Sequence, residues 1–178
     1  MLKKLSKKVG RKPKFIIKDT GKYGRGIFAG RDILKGEVIT KFTGERITLE
    51  ECLKRVEKGL MNNDDGFQIS EEKYMVLDPV SILFNHSCNP NSVFRKEAEL
   101  FAIRDIKKGE EITYDYSSTV GPNITADMWT MPCICGSSNC RETLSNVLTI
   151  PDKILRKYKK IEALQDYIID QLNKTNFS

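Results

Sequence analysis

The sequence lacks long hydrophobic runs. No apolar segment approaches the roughly 20 residues that a membrane-spanning helix requires. The start of the chain, MLKKLSKKVGRKPK, contains no apolar stretch of the kind that secretory signals have. We therefore predict an intracellular protein without a membrane partner, in either the nucleus or the cytoplasm. In that reducing environment, the five cysteines are not expected to form structural disulfides.

Histidine is also scarce, since His86 is the single histidine among the 178 residues. It lies two positions before Cys88 in the stretch FNHSCNPN, residues 84–91. A cysteine nucleophile needs a base that a third group orients, and a chain with one histidine offers few ways to build such a set. The residues themselves leave open a nucleophilic pair, a metal site or a polar turn.

Acidic residues are missing from the first part of the chain. Residues 1–18 contain eight Lys or Arg and no Asp or Glu, whereas residues 19–151 carry a formal charge of −4. We predict that residues 1–14 form a flexible basic arm, because like charges repel and Gly10 and Pro13 disfavour a helix. A nucleic-acid contact through residues 1–18 and a solubilising tail both remain open. The acidic body suits a basic protein or peptide as partner.

Short strand patterns dominate the rest of the chain, which is long enough for one domain with a hydrophobic core. The segment IFAGRDILKGEVIT (the first repeat, residues 27–40) resembles LFAIRDIKKGEEIT (the second repeat, residues 100–113). Each repeat predicts a strand, a Lys-Gly-Glu turn and another strand. Further strands are expected in KFIIK, GFQIS and KYMVLD, and a hairpin in SVFRKEAELFAI. The fold class is therefore predicted to be mainly β.

Two helices are expected within this β-rich pattern. In TLEECLKRVEKG, Thr48 is a candidate N-cap with Glu51 three residues later, and Gly59 is the expected end. From Asp152 onward, apolar residues recur at helical spacing and predict one C-terminal helix. The segment 117–132 between these regions is expected to be a loop.

Three cysteines lie close together in CICGSSNC. Cys133, Cys135 and Cys140 form a C-x-C-x4-C cluster, which is typical of a zinc site that lacks one of its four ligands. Of the remaining cysteines, Cys52 lies on the predicted first helix and fits a small apolar role. Cys88 lies in a polar turn that could bend around a metal. Free thiols without a metal are the alternative.

Four motifs in this order resemble the SET-domain family of protein lysine methyltransferases, which use S-adenosylmethionine. They are YGRGIFA, FNHSCNPN, GEEITYDY and CICGSSNCRETL. The resemblance implies a SET-domain fold of small β-sheets with a pseudoknot, a short inserted helix, a C-terminal zinc-binding loop and an α-helix. It places the SET domain at residues 15–117, a post-SET zinc segment at 118–145 and the C-terminal helix at 146–178.

The resemblance also implies roles for individual residues. Phe67, Leu144 and Trp129 are candidates to cover the cofactor, although a plain core role fits each of them equally. The catalytic tyrosine is Tyr116, with Tyr114 beside it. The implied cofactor-binding residues are Gly24, Arg25, Gly26, Phe67, Asn85, His86, Tyr116 and Leu144, and the implied zinc ligands are Cys88, Cys133, Cys135 and Cys140.

Strand alternation places Tyr114 and Tyr116 on one face, opposite Asp115. The substrate lysine must lose a proton from a pKa of about 10.4 before it accepts a methyl group, and an apolar channel lowers that pKa. In the family, a tyrosine at position 114 accompanies monomethylation, but Phe42 stands where relatives commonly have another channel tyrosine. The expected activity is therefore mono- or dimethylation of lysine in a histone or another basic protein.

The sequence departs from the family pattern just before the signature. The Gly-Asn-x-x-Arg-Phe segment that usually precedes the signature is absent, and LDPVSILFNHSC stands in its place.

The alternative function is a non-catalytic, zinc-stapled SET-like module that binds chromatin or another partner through its basic arm. Retention of Tyr116 together with Gly24, Gly26, Asn85 and His86 favours the enzyme.

Overall fold

The computed structural model describes residues 13–22 and 24–175, so the predicted basic arm lies almost wholly outside the described residues. No helix within these ranges is long and apolar enough to cross a bilayer. The described strands are β1 (Phe15–Asp19), β2 (Arg25–Ala29), β3 (Val38–Lys41), β4 (Gly44–Thr48), β5 (Gly66–Gln68), β6 (Lys73–Leu77), β7 (Ser92–Arg95), β8 (Glu99–Ala102), β9 (Met131–Pro132) and β10 (Thr143–Leu144). The described α-helices are α1 (Leu49–Glu57), α2 (Asp152–Lys160) and α3 (Asp166–Thr175), and short 3-10 helices span Ser81–Leu83, Tyr116–Thr119 and Val147–Thr149.

The strands form four small antiparallel sheets around one main core. Their orders are β1-β2, β3-β8-β7, β4-β6-β5 and β9-β10. The main core contains fully buried side chains from several sheets, among them Ile27, Phe94 and Leu100. This arrangement confirms the prediction of a mainly β fold built from small sheets.

The two repeats face each other and exchange equivalent hydrogen bonds. Ile33 and Ile106 pair through two backbone bonds of 2.9 Å each. The turn glycines of both repeats have positive φ, 83° for Gly36 and 86° for Gly109, which favours glycine at these positions. The glycine amide of each repeat donates to the alanine carbonyl of the other repeat at 2.7 Å. The repeats therefore form a local pseudo-twofold pair at the centre of the fold.

Helix α1 begins as the sequence predicts. The Thr48 hydroxyl accepts a hydrogen bond of 3.1 Å from the Glu51 amide, which satisfies a backbone donor in the first turn. The Glu51 carboxylate does not return to the N-cap and instead accepts from Arg55 at 2.7 Å. Gly59, with a φ of 67°, follows the end of the helix.

The C-terminal segment contains two helices where the sequence predicted one. The chain turns at Glu162, which has a positive φ of 53°. The turn allows Gln165 to donate its side-chain amide to the carbonyls of Gln68 (3.1 Å) and Glu97. The break between α2 and α3 therefore coincides with hydrogen bonds from the Gln165 side chain to the body of the protein. Both helices pack on the body through a second core that includes Tyr158 and Ile168.

Candidate active site and cysteine centre

The histidine-containing stretch lies against the end of the second repeat. His86 and Tyr114 form a parallel bridge, in which the Ser87 amide donates to the Tyr114 carbonyl at 3.0 Å. The Tyr114 amide donates in turn to the Asn85 carbonyl at 3.2 Å. The resemblance implies that these two segments form a pseudoknot, and this pairing connects them.

The last residue of the stretch, Asn91, fixes the same pairing from the other end. Its side chain is buried, and its Nδ2 donates to the Glu111 carbonyl at 2.7 Å. Its Oδ1 accepts from the Thr113 amide at 3.0 Å. Because these bonds replace the backbone partners of a regular strand, Asn91 holds the segment that leads to the tyrosines in register.

Tyr114 and Tyr116 lie side by side, but the strand predicted for this segment is not formed: Tyr114 has only an isolated bridge, and Tyr116 begins a 3-10 helix, Tyr116–Thr119. Their ring centroids are 4.8 Å apart, and the Tyr116 hydroxyl donates to the Phe84 carbonyl at 3.0 Å. Burial raises the pKa of both tyrosines above its usual value. Both hydroxyls are therefore neutral at ordinary pH and act as hydrogen-bond donors and acceptors, not as phenolate bases.

Two clefts meet at Tyr116. The larger spans about 830 Å³ including its opening to solvent, and its lining includes Tyr114, Tyr116 and Leu77. The smaller spans about 430 Å³ on the same measure, and its lining includes Tyr116, His86 and Leu144. Tyr116 lines both clefts, so its ring and hydroxyl stand where a group in one cleft would approach a group in the other.

An acidic side chain lies at the larger cleft. Asp64 lines this cleft and accepts a hydrogen bond of 2.8 Å from the Trp129 indole. The neighbouring Asn63 donates to the Met128 carbonyl at 3.2 Å. These contacts join the turn before β5 to the loop that precedes the cysteines, and they position a carboxylate beside a mostly apolar cavity.

The glycine-rich segment lies beside the smaller cleft through its contact with Asn85. The Asn85 amide donates to the Glu111 carboxylate at 2.8 Å and to the Arg25 carbonyl at 3.3 Å. A Cβ on Gly26 would lie 2.5 Å from the Glu111 carboxylate, so a larger residue would displace this side chain from Asn85. A Cβ on Gly24, with a φ of 79°, would meet nothing within 4 Å. The backbone at Gly24 is thus open on the side where a ligand could approach.

The residues expected to cover the cofactor divide between the two clefts. Leu144 is buried and lines the smaller cleft with Asn85 and His86. Phe67 and Trp129 line the larger cleft instead. Phe67 is also part of the main core, with its ring centroid 4.8 Å from that of Phe94.

The four cysteines that were predicted as metal ligands lie together. The Sγ atom of Cys133 is 3.7 Å from that of Cys88 and 3.6 Å from that of Cys140. The Cys88 amide donates to the Cys135 Sγ at 3.5 Å. The most compact donor group contains His86 in place of the predicted ligand Cys140, because one ligand atom each from His86, Cys88, Cys133 and Cys135 lies within 4.8 Å of the others.

The hydrogen bonds of His86 indicate which role it takes. Its Nδ1 accepts from the Tyr116 amide at 3.2 Å, so in the neutral ring Nε2 carries the proton. Nε2 lies 3.2 Å from the Cys88 Sγ and can donate to it. Burial lowers the pKa of His86 to about 3, with the Arg141 charge acting in the same direction. A neutral His86 therefore joins the backbone of Tyr116 to a cysteine of the cluster.

Sequence analysis missed a buried charge network behind the tyrosines. The Arg141 guanidinium forms an ion pair with Asp115, and its Nε lies 3.4 Å from the Cys88 Sγ. The Tyr158 hydroxyl of α2 lies 3.4 Å from the other Asp115 oxygen. In the sequence, Asp115 lies between two tyrosines and Arg141 directly follows the last cysteine. Neither position indicates that the two residues pair with each other, because the pair forms only in the tertiary structure.

The fold, the glycine-rich segment, the paired signature and the cysteine cluster together define a class of protein. The family model of the SET domain matches residues 24–117, just over half of the chain, and the chain belongs to the SET-domain family.

Curated relatives from several organisms match the chain at moderate identity. The variant-silencing SET domain-containing protein of Plasmodium falciparum is 38% identical over 141 residues, which are 70% of this chain and 5% of that protein. The histone-lysine N-methyltransferase ASHH3 of Arabidopsis thaliana is 36% identical over 138 residues, 70% of this chain and 36% of that protein. The histone-lysine N-methyltransferase NSD3 of Mus musculus is 33% identical over 135 residues, 68% of this chain and 9% of that protein. The chain therefore spans well under half the length of these relatives.

A solved structure shares the fold. The methyltransferase domain of the human histone-lysine N-methyltransferase SETMAR is similar with a TM-score of 0.57 and 24% identity, over 74% of this chain and 58% of that one. At this identity the likeness establishes the fold alone.

Proposed function

We propose that the protein transfers a methyl group from S-adenosylmethionine to the ε-amine of a lysine in a histone or another basic protein. The observation that carries the proposal is that Tyr116 lines both clefts, one suited to a cofactor and the other to a lysine side chain. Membership of the SET-domain family and the names of the histone-lysine N-methyltransferase relatives support the same activity.

The residues at the smaller cleft fit S-adenosylmethionine. The lining of this cleft combines apolar side chains with a few polar groups, as small-molecule sites do. Leu144 offers an apolar surface, and the Asn85 Oδ1 and the His86 backbone offer polar contacts. Gly24 does not line this cleft, but its open backbone lies two residues before Gly26, which packs against Asn85. When bound, this cofactor supplies an electrophilic methyl group on a sulfonium.

The larger cleft fits a lysine side chain. Leu49, Leu77 and Tyr114 provide largely apolar walls, which disfavour the ammonium form and lower the lysine pKa. Asp64 attracts the ammonium before it enters. The neutral hydroxyls of Tyr114 and Tyr116 then orient the amine, so the protein contributes mainly alignment and desolvation.

We propose mono- or dimethylation as the product. Tyr114 lines the larger cleft and limits the space beside the amine. Phe42 is 1% exposed and contacts Tyr114 with ring centroids 5.9 Å apart, but it does not line this cleft. The position where relatives commonly have a tyrosine therefore supplies packing and no hydroxyl.

The cysteine cluster fits zinc with four thiolate ligands. Cys88, Cys133, Cys135 and Cys140 are the donor set that structural zinc prefers. His86 is the better candidate for a hydrogen-bond donor to the Cys88 thiolate, because its Nδ1 already accepts from the Tyr116 amide. When bound, the metal would connect the post-SET segment to the stretch that contacts the tyrosines.

The zinc assignment can be tested without measuring activity. Zinc per chain should be about one in the wild type and should fall clearly in Cys140→Ser. The matched control Cys52→Ala changes a cysteine outside the cluster and should retain the metal, as should His86→Gln. Loss of zinc in His86→Gln together with full retention in Cys140→Ser would replace Cys140 by His86 in the ligand set.

The activity can be tested with S-adenosylmethionine, core histones and mass spectrometry of the modified residues. The proposal expects one or two methyl groups on lysine and direct binding of the cofactor to the isolated protein. If the protein binds zinc but neither binds the cofactor nor methylates histones or total cell protein, the chain is a non-catalytic SET-like module instead.

A further inference from the structure

Helix α2 presents an exposed cationic face. In its nine residues it contains five Lys or Arg and one acidic residue. At about 100° per residue, four of these cations fall within an arc of about 100° on the helical wheel. These four, Lys153, Arg156, Lys157 and Lys160, are all exposed, and we call them the basic face.

The opposite side of α2 is fixed to the body. Tyr158 is 1% exposed, and Ile154, Leu155 and Ile161 pack against the same core as Val93 and Phe101. The helix therefore cannot turn its apolar side toward a membrane, which an interfacial amphipathic helix must do. The basic face is held in one orientation on a rigid element.

The charges of the basic face are largely uncompensated. Asp152 pairs with Arg156 at 3.4 Å, and no other ion pair is found for the basic face among residues 13–22 and 24–175. The helix macrodipole favours cations in the last turn, which suits Lys157 and Lys160. It disfavours a cation in the first turn, so capping does not explain Lys153. A solvated helix surface usually interleaves both signs of charge, and this one does not.

We propose that the basic face of α2 binds the phosphate backbone of duplex DNA. From Lys153 to Lys160 the helix rises about 10 Å, which matches about three phosphates at 3.4 Å per nucleotide of one strand. The contact carries no base readout, because lysine and arginine on the outer surface of a packed helix reach phosphates and not the edges of the bases. This site is separate from the tyrosine clefts, and it goes beyond the proposed methyl transfer.

The test measures binding of the full chain to a fluorescent duplex of roughly 30 base pairs, without S-adenosylmethionine. The variant Lys153→Gln/Lys157→Gln/Lys160→Gln should bind more than about tenfold more weakly at 0.1 M salt, with a salt slope reduced by about 3. The matched control Lys35→Gln/Lys41→Gln/Lys108→Gln removes the same charge from exposed lysines elsewhere and should bind like the wild type. Equal binding by all three proteins, or equal weakening by both variants, would overturn the proposal.

Two further measurements complete the test. The first uses the wild type alone, so it does not depend on how a variant folds, and the second distinguishes DNA from a membrane surface as the ligand. In the wild type, DNA should protect Lys153, Lys157 and Lys160 from chemical acetylation, and Lys35 and Lys108 should stay reactive. Absence of this difference would contradict the proposal without any variant. Binding of the wild type to anionic phospholipid vesicles, but not to DNA, would assign the basic face to a membrane surface instead. Methyl transfer is not measured, so failure here leaves the proposed enzyme activity untouched.

Discussion

The two repeats have nearly the same sequence and exchange the same hydrogen bonds, yet the chain has different surroundings just after each of them. After the first repeat, Phe42 enters the aromatic core, with ring centroids 4.7 Å from Phe94 and 5.2 Å from Phe84. At the equivalent position after the second repeat lies Asp115, buried against Arg141 and flanked by the two site tyrosines. One duplicated scaffold thus supports packing at one end and candidate chemistry at the other.

The comparison indicates where function was added to this fold. The repeats are held by backbone bonds and by buried isoleucines. The Asp32 and Asp105 side chains each add a bond to a backbone amide of the opposite repeat, at 2.8 Å and 2.9 Å. None of these groups lies at the site. The segment after the second repeat is held by side chains from elsewhere: His86 at the Tyr116 amide and Arg141 at Asp115. The scaffold should therefore tolerate loss of the site, whereas the site should not tolerate loss of the cysteine segment.

Metal removal should give the largest difference between the two regions. If the cysteine centre holds zinc, chelation should release residues 131–145 and abolish methyl transfer, because four clustered thiolates would lose their shared cation. The repeats should retain their protection from hydrogen exchange, while the residues after the second repeat lose it. Exchange measured by mass spectrometry, with zinc added back as control, checks this. Simultaneous loss of protection in both repeats would contradict the separation of scaffold and site.

The equivalent positions Asp115 and Phe42 should differ strongly when substituted. Asp115→Asn leaves the buried Arg141 charge without its partner and should cost about 3–5 kcal/mol of unfolding free energy. Phe42→Leu keeps an apolar side chain in a core that can partly readjust and should cost less, about 1.5 kcal/mol. Urea unfolding followed by circular dichroism measures both. A smaller cost for Asp115→Asn than for Phe42→Leu would mean that the ion pair is not needed for the fold.

The scaffold itself should respond symmetrically. Ile33 and Ile106 are both fully buried and pair with each other, so Ile33→Ala and Ile106→Ala should each cost about 2–5 kcal/mol. We expect the two costs to agree within about 1 kcal/mol, since the equivalent side chains leave equivalent cavities. The same urea experiment checks this. Clearly unequal costs would show that the pseudo-twofold pair is symmetric in backbone only.

The smallest effect is expected where α2 supports the site. Tyr158→Phe removes one long hydrogen bond to Asp115 and keeps the buried ring, so it should cost about 0.5–1.5 kcal/mol. Because Arg141 and the Ser117 amide continue to hold Asp115, methyl transfer should change little. A rate loss much larger than the stability loss would make Tyr158 a positioning residue of the site.

Local patterns in the sequence predicted those parts of the fold that local chemistry determines. The Thr48 cap, the turn glycines and most of the strands follow from short patterns and were confirmed. The repeated sequence predicted two similar units. It did not predict that they pair with each other at Ile33 and Ile106, since that contact joins residues 73 positions apart in the chain.

The candidate site was less accessible to sequence reasoning. The spacing of three cysteines indicated a metal cluster, and only the family resemblance connected Cys88 to them. The pairing of Arg141 with Asp115 and the break between α2 and α3 depend on tertiary partners such as Gln68 and Glu97. The assignment of Phe67 to the cofactor stays a prediction, and the structure places this residue at the larger cleft.

The central claim is that Tyr116 aligns the reacting groups between the two clefts. The most direct measurement compares single-turnover methyl transfer to a lysine substrate in Tyr116→Phe and Tyr167→Phe. Both variants remove a buried hydroxyl that donates to a backbone carbonyl, at 3.0 Å in Tyr116 and at 2.8 Å in Tyr167. The account predicts a rate loss of about 100-fold or more for Tyr116→Phe and a near wild-type rate for Tyr167→Phe. Equal rates in both variants, with zinc and cofactor still bound, would contradict it.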